Sequence, residues 1–288
     1  MREPAPSETA MSYRSILVLL DQDPHNAART DCAVQLAKAL ECHLVGVAPT
    51  SLVDLPASPE VAASLVELAA RVWDTLREQA DQAAKRFSET CRAAGLSSFE
   101  AVVDEADKAP SLVRHAHCSD LTVLSQADPS AAGFRATKEL VEQLVLHSAR
   151  PTLILPYAGR FERVGSQVLV AWDDSREAAR AVADALPLLR LATRVQVISW
   201  NEATDDATLR VRLDALRRWL MWQGVVAEVQ ADTTPIDIAG TMLSRAADMN
   251  ADLIVMGAYG HARWTEWALG GATRGMLESM TVPVLMSH

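Results

Sequence analysis

The sequence predicts an α/β protein made of two tandem doubly wound domains, each a five-stranded, mostly parallel open sheet with helices on both faces. Three observations lead to this prediction. Apolar segments of strand length alternate with amphipathic segments of helical length, this alternation runs through the chain twice, and the strands of the two copies match in order and in their ends. Such alternation is typical of parallel sheets covered by helices. Because crossovers between parallel strands are right-handed, each half is expected to form a doubly wound open sheet.

Each copy begins with an apolar strand that ends in aspartate. These strands are Ser15–Asp21 and Gln167–Asp173. An Ala-rich amphipathic helix follows in each copy, and a second strand comes after it. The predicted helices are Asn26–Leu40 and Ser175–Leu191, and the predicted second strands are His43–Ala48 and Arg194–Trp200.

The remaining elements follow in the same order in both copies. A second helix is predicted to be long in the first copy and shorter in the second, over Pro59–Ala94 and Asp206–Gln223. The third strands are predicted at Phe99–Val103 and Val225–Val229. The last two strands of each copy also correspond: Ser119–Leu124 with Ala251–Met256, and Ala149–Leu155 with Met280–Met286.

The boundary between the copies lies where the pattern stops. Pro156 and Gly159 interrupt both strand and helix. We therefore place the linker near Tyr157–Phe161 and predict domains over residues 1–158 and 159–288.

Composition excludes several classes of function. The 288 residues carry a formal net charge of −10, which argues against broad nucleic-acid binding. Apolar runs are of strand length, far short of the roughly 20 residues of a membrane-spanning helix. The first ten residues lack the apolar core of a signal peptide, so a cytoplasmic protein is expected. The four cysteines lack paired metal spacing and are predicted to be reduced and buried: Cys32, Cys42, Cys91 and Cys118.

A glycine-rich stretch in the second copy carries the main functional signal. Gly257–Gly260 follows the apolar run Asp252–Met256, and after nine more residues Gly270–Thr273 opens the helical pattern Gly271–Met280. Glycines at a strand-to-helix turn let backbone N–H groups approach an anion, and a helix N-terminus adds its positive dipole end. The stretch is therefore a candidate phosphate cradle. The alternative is that the glycines only permit a tight loop and close packing of helix on sheet.

In its second half the chain resembles the universal stress protein domain. That family carries a strand ending in Asp, then the pattern Gly, two residues, Gly, nine residues, Gly and Ser or Thr, and a final Pro-Val-apolar strand. The matching residues here are Asp173, Gly257, Gly260, Gly270 and the strand Val282–Met286. Since the first half matches in strand order and strand ends, the whole chain resembles a tandem universal stress protein.

The resemblance implies a five-stranded parallel sheet that binds ATP, or alternatively ADP or AMP, with or without Mg²⁺. The residues implied to line the nucleotide are Asp173, Ile198, Met256, Gly257, Gly260, Gly270, Gly271 and Thr273. Asp173 would contact the adenine or ribose end, Ile198 the base through backbone groups, and the last four residues the phosphates. Gly271 stands where the family has a hydroxyl, so one phosphate or metal contact is lost unless Thr273 replaces it.

Other residues near these strand ends have two interpretations each. Trp172 and Trp200 could stack on adenine, although core packing is the commoner use of tryptophan. Asp173 and Asp174 form a carboxylate pair that could help to hold Mg²⁺. The same position suits a helix cap, a role predicted for Asp174 rather than Asp173.

The first half departs from the family pattern where the glycines should be. After Leu124 only Gly133 remains, at a different spacing, so side chains would obstruct the approach of a phosphate. We predict that this half does not bind ATP in the family's manner, although Asp21 persists at the end of its first strand.

The resemblance implies a stress-response protein that binds and signals rather than catalyses, and no catalytic residue is assigned. The final strands would be sheet edges that pair within the chain as an internal pseudo-dimer, and a homodimer is left open. The alternatives are a slow ATPase or ATP-using enzyme, and a scaffold without nucleotide. The second half contains no lysine, so a P-loop lysine is absent from it.

Overall fold

A computed structural model describes residues 12–50, 62–161, 163–201, 207–233, 237–260 and 271–288. The strands are β1 Ser15–Leu19, β2 His43–Pro49, β3 Phe99–Asp104, β4 Leu121–Ser125, β5 Thr152–Leu155, β6 Gln167–Ala171, β7 Arg194–Asn201, β8 Ala227–Thr233, β9 Leu253–Gly257 and β10 Val284–Ser287. The helices are α1 Asn26–Ala39, α2 Ala62–Ala93, α3 Lys108–Ala116, α4 Phe134–His147, α5 Arg176–Leu189, α6 Ala207–Trp222, α7 Ile238–Asp248 and α8 Gly271–Ser279.

The predicted α/β fold is confirmed, with five parallel strands in each half. The strand order is β3-β2-β1-β4-β5 in the first half and β10-β9-β6-β7-β8 in the second. The two sets join into one sheet because β5 pairs with β10, the single antiparallel pair among the described strands. In that pair Ile154 faces Val284 and Thr152 faces Met286.

An apolar core lies on each face of the sheet, so the central strands bury their side chains on both faces. All five residues of β4 and all four of β5 are buried. Side chains alternate between the two faces, so Leu121 and Val123 belong to one core cluster and Leu124 to the other. Strands buried on both faces read as continuous apolar runs, and this is why the strand positions were predictable.

The boundaries differ from the prediction in a few places. The third strand of the second half begins at Ala227, two residues later than predicted. Val225 is buried before the strand, and Val226 is 91% exposed. The predicted helix starts at Pro59 and Asp206 lie outside the described residues. The predicted domain boundary falls in the connection between β5 and β6.

The cysteine prediction is correct for three residues and wrong for one. Cys32, Cys42 and Cys91 are buried free thiols, whereas Cys118 is exposed in the turn after α3. None of the described helices is long and apolar enough to cross a membrane.

Candidate nucleotide site

In the second half the strand order reverses beside β6. β6 lies between β7 and β9, with Ala171 beside Ile198 and Val170 beside Val255. The chain leaves β6 toward β7 on one side and later returns to β9 on the other. Such a switch point is where open α/β sheets bind ligands. The segment after β6 and the segment after β9 therefore meet at one edge.

Asp173 is exposed and shapes the turn between β6 and α5. Its Oδ1 accepts hydrogen bonds from the Ser175 backbone N–H at 3.0 Å and from the Ser175 hydroxyl at 2.5 Å. The Ser175 hydroxyl oxygen in turn accepts the N–H of Ala178 at 3.0 Å and caps α5. The prediction that Asp174 caps this helix is therefore wrong. Asp174 instead has a positive φ of 61° and forms an ion pair with Arg212 of α6.

Ile198 of β7 and Met256 of β9 are buried core residues. The Ile198 carbonyl accepts the N–H of Trp172 at 2.9 Å. Trp172 and Trp200 both pack against the apolar clusters, as the commoner use of tryptophan suggested. The indole Nε1 of Trp172 is buried and has no hydrogen-bond partner among the described residues.

Gly257 lets the start of α5 pack directly on the end of β9. A Cβ at this position would lie 2.6 Å from the Ala178 backbone nitrogen and 2.7 Å from the Glu177 carbonyl carbon. Backbone atoms cannot yield as a flexible side chain can. At this glycine the close-packing interpretation accounts for the residue type on its own.

The two ends of the glycine motif are joined by a hydrogen bond. The N–H of Tyr259, which has a positive φ of 53°, donates to the Thr273 hydroxyl oxygen at 3.1 Å. Thr273 is buried on α8, and the position of a Cβ on Gly271 is open, with no atom within 4 Å. Gly260 lies on the same segment as Tyr259, whereas Gly270 lies outside the described residues. The Thr273 hydroxyl thus holds the segment after β9 against α8.

Glu177 is a residue that the sequence reasoning missed. It is only 3% exposed, and its Oε2 lies 3.0 Å from the position of a Cβ on Gly260. Burial raises the pKa of this carboxyl, but the hydrogen bond and charge of Arg176, its own backbone N–H and the charge of His288 hold the pKa below its usual value. In the sequence it is an ordinary acidic residue in the first turn of a helix, so only the tertiary packing distinguishes it.

The described carboxylates at this edge do not form a metal site by themselves. Asp173 is engaged with Ser175, Asp174 with Arg212, and Glu177 with Arg176. Among the described residues no group of three or more His, Cys, Asp or Glu side chains converges to hold a metal ion. A Mg²⁺ ion at this edge would thus need oxygen ligands from a bound phosphate chain, as is usual for Mg²⁺ in nucleotide sites.

In the first half a buried arginine lies at the ends of β1 and β4, the strands that correspond to β6 and β9 of the second half. Arg29 of α1 is 2% exposed and lies between the ends of β1 and β4. Its guanidinium donates to the Leu19 carbonyl at 3.0 Å, to the Ser125 hydroxyl at 3.0 Å and to the Asp21 carboxylate at 2.8 Å. Ser125 ends β4, as Gly257 ends β9. The Asp21 carboxylate also pairs with Lys108 at 3.2 Å.

The network explains the state of the Asp21 carboxyl group. Burial raises its pKa, while the charges and hydrogen bonds of Arg29 and Lys108 lower it, and the net result is below the usual value of 3.8. Asp21 and Asp173 therefore occupy corresponding strand ends but differ in their surroundings. The first is locked into a buried ion pair, and the second is exposed.

Comparison with known proteins finds a family match for the second half. Residues 166–288 match the model of the universal stress protein family. The second half is therefore similar to this family, and the resemblance seen in its sequence is confirmed. No curated protein sequence matches the chain.

Solved structures extend the likeness to both halves. A universal stress protein from Archaeoglobus fulgidus superposes with a TM-score of 0.69 at 18% identity, covering 95% of each chain. A functionally unknown protein from Pseudomonas aeruginosa gives 0.57 at 19% identity, covering 97% of this chain and 93% of the other. A universal stress protein in complex with cAMP gives 0.36 at 17% identity, covering 51% of this chain and 99% of the other. The first two likenesses show a shared fold over nearly the full length.

Proposed function

We propose that the second half, residues 159–288, binds an adenine nucleotide at the carboxyl ends of β6 and β9, and that the chain is a stress-response binding and signalling module. ATP is the first candidate ligand, with ADP and AMP as alternatives. The observation that carries the proposal is the Tyr259–Thr273 hydrogen bond of 3.1 Å, which brings the two ends of the glycine motif together beside the switch point. The family match over residues 166–288 supports it.

The arrangement favours holding a nucleotide over cleaving it. Phosphoryl transfer needs a metal site and a positioned nucleophile or water. Gly271 stands where the family has a hydroxyl residue, and Thr273 follows two residues later. The Thr273 hydroxyl already accepts the N–H of Tyr259. A slow ATPase and a nucleotide-free scaffold are the alternatives, and measured turnover and measured binding distinguish them from the proposal.

The signalling part of the proposal rests on α8, which links the candidate site to the first half. Thr273 lies near its beginning, and near its end the Leu277 carbonyl accepts the buried Gln126 side-chain amide at 2.9 Å. Glu278 forms an ion pair with Lys138 of α4 at 3.0 Å. A helix of nine residues is about 13 Å long. A shift of Thr273 on nucleotide binding would therefore reach Gln126 and Lys138 through one short rigid element.

Thr273→Val tests both parts of the proposal. Valine fills the same volume but leaves the partly buried Tyr259 N–H without its acceptor, which costs about 1–3 kcal/mol. We expect the Kd for ATP with Mg²⁺ in titration calorimetry to rise about tenfold or more. In hydrogen exchange, ATP should slow the α4 amides of the wild type, with a smaller effect in the variant.

The matched control is Thr90→Val on α2, where an exposed threonine hydroxyl donates to the Arg86 carbonyl at 3.0 Å within the helix. This variant should bind like the wild type. Unchanged affinity of Thr273→Val would contradict the assignment of the site. Nucleotide-independent exchange in α4 of the wild type would contradict the signalling part alone.

A further inference from the structure

The Glu177 carboxylate lies directly against the segment that is proposed to hold phosphates. This is shown by where a Cβ atom would lie if Gly257 or Gly260 were replaced by a residue with a side chain. A Cβ on Gly257 would lie 2.9 Å from the Glu177 Cβ, and a Cβ on Gly260 would lie 3.0 Å from the Glu177 Oε2. The side chain is therefore packed along the whole of residues 257–260, and these glycines leave room for it.

The charge on Glu177 is buried, whereas its cationic partner is exposed. The Arg176 side chain is 78% exposed and the Glu177 side chain is 4% exposed. His288 also acts electrostatically on Glu177, and its Nδ1 lies 3.0 Å from the Ala258 carbonyl oxygen. Arg274 of α8 is paired with Glu278 at 3.0 Å. A fixed negative charge thus lies under the segment, with its main counterion facing solvent.

We propose that Glu177 is a specificity-determining residue that makes the site select nucleotides by phosphate charge. In the absence of a divalent cation the site favours AMP over ATP, and ATP binds as its Mg²⁺ complex. This inference rests on the proposed nucleotide site and adds to it the charge state of the preferred ligand.

The physical reason is that a buried charge is poorly screened. Interactions between charges near a protein interior are several times stronger than in bulk water, and salt screens them little. Each additional phosphate adds negative charge beside the Glu177 carboxylate. Mg²⁺ bound to the phosphates neutralises two of those charges and removes most of the repulsion. Adenosine carries no phosphate and should not sense Glu177.

Glu177→Gln keeps the shape of the side chain and removes its charge. We would titrate the full chain with adenosine, AMP, ADP and ATP in a calorimeter, first in EDTA and then in Mg²⁺. In EDTA the variant should bind ATP about tenfold more tightly than the wild type and AMP by a smaller factor. The affinity for adenosine should not change, and Mg²⁺ should reduce the gain for ATP.

Two further variants complete the test. Glu228→Gln removes an exposed carboxylate that pairs with Arg194 on β7, so it should leave all four affinities unchanged. Arg176→Gln removes the exposed counterion of Glu177 without touching the core, so it should weaken ATP binding in EDTA by a few-fold. The Arg176 variant decides the question by itself if Glu177→Gln fails to fold.

Each outcome separates this inference from the function on which it rests. Wild-type binding of nucleotides with affinities that Glu177→Gln and Arg176→Gln leave unchanged would overturn the inference and leave the site standing. Equal gains for adenosine and ATP would also overturn it, because they would show a structural effect. If the wild type binds none of the four ligands, both the site and the inference are overturned.

Discussion

Replacing Arg29 with methionine should lower the free energy of unfolding by about 3–5 kcal/mol, the usual cost of breaking a buried ion pair from one side. Arg29 is 2% exposed, and its loss leaves the Asp21 carboxylate, the Leu19 carbonyl and the Ser125 hydroxyl without their buried donor. Lys108 remains as a partner of Asp21, but it is half exposed and reaches only one of the carboxylate oxygens. Urea denaturation measures the loss.

The matched control is Arg180→Met. Arg180 lies on α5, where the same Ala-Ala-Arg triplet recurs, but its side chain is 47% exposed and pairs with Asp184 within one helix turn. Exposed ion pairs of this kind contribute about 0–1 kcal/mol. Equal losses for the two variants would contradict the role given to the buried network.

The same network makes stability depend on pH in a defined direction. The folded-state pKa of Asp21 is lowered below the value of 3.8. Its contribution is therefore fully present above that value and is lost as the pH falls through the lower folded-state pKa. As the pH is lowered from 5 through the folded-state pKa of Asp21, the free energy of unfolding should fall more for the wild type than for Arg29→Met. Parallel pH profiles of the two proteins would contradict this account.

Gly257→Val should destabilise the protein by about 3 kcal/mol, toward the upper end of overpacking costs, and should abolish nucleotide binding. Its Cβ would meet the Ala178 nitrogen at 2.6 Å and the Glu177 carbonyl carbon at 2.7 Å. α5 cannot retreat easily, because Ala181 and Ala185 of the same helix are fully buried. Urea denaturation and calorimetric titration with ATP and Mg²⁺ measure the two losses.

Gly271→Ala provides the contrast within the same motif. Nothing lies within 4 Å of the added Cβ, so the folded state accommodates it. Alanine favours a helix over glycine by up to about 1 kcal/mol, so stability should be unchanged or slightly raised. A Gly257→Val protein that is as stable as the Gly271→Ala protein would show that the contact between α5 and β9 is not tight.

The fold was predictable from the sequence because its strands are buried on both faces. Segments such as Leu253–Met256 therefore appear as unbroken apolar runs, and their order repeats. The edge strand β8 was harder to place, since half-buried residues such as Ala227 give a weaker pattern. The helix cap was assigned to Asp174, but an αL residue with φ of 61° does not have the extended backbone of Ser175, the residue that caps α5.

The site was predictable only in part. The spacing of the glycines identified the segment after β9 and its approach to α8. This was possible because a tight turn from strand to helix depends on the residue types within the segment itself. Glu177 and Arg29 could not be recognised, because a charged residue on a helix is normally solvated and only tertiary packing buries it. The prediction that the first half does not bind ATP stays a prediction, now with a physical cause in Arg29.

The central claim is that the chain has a single nucleotide site, in its second half. Titration calorimetry of the full chain with ATP and Mg²⁺ tests it most directly. We predict saturable binding of one nucleotide per chain, which Gly257→Val removes and Arg180→Met leaves intact. The absence of saturable heat, or binding of two nucleotides per chain, would contradict the claim.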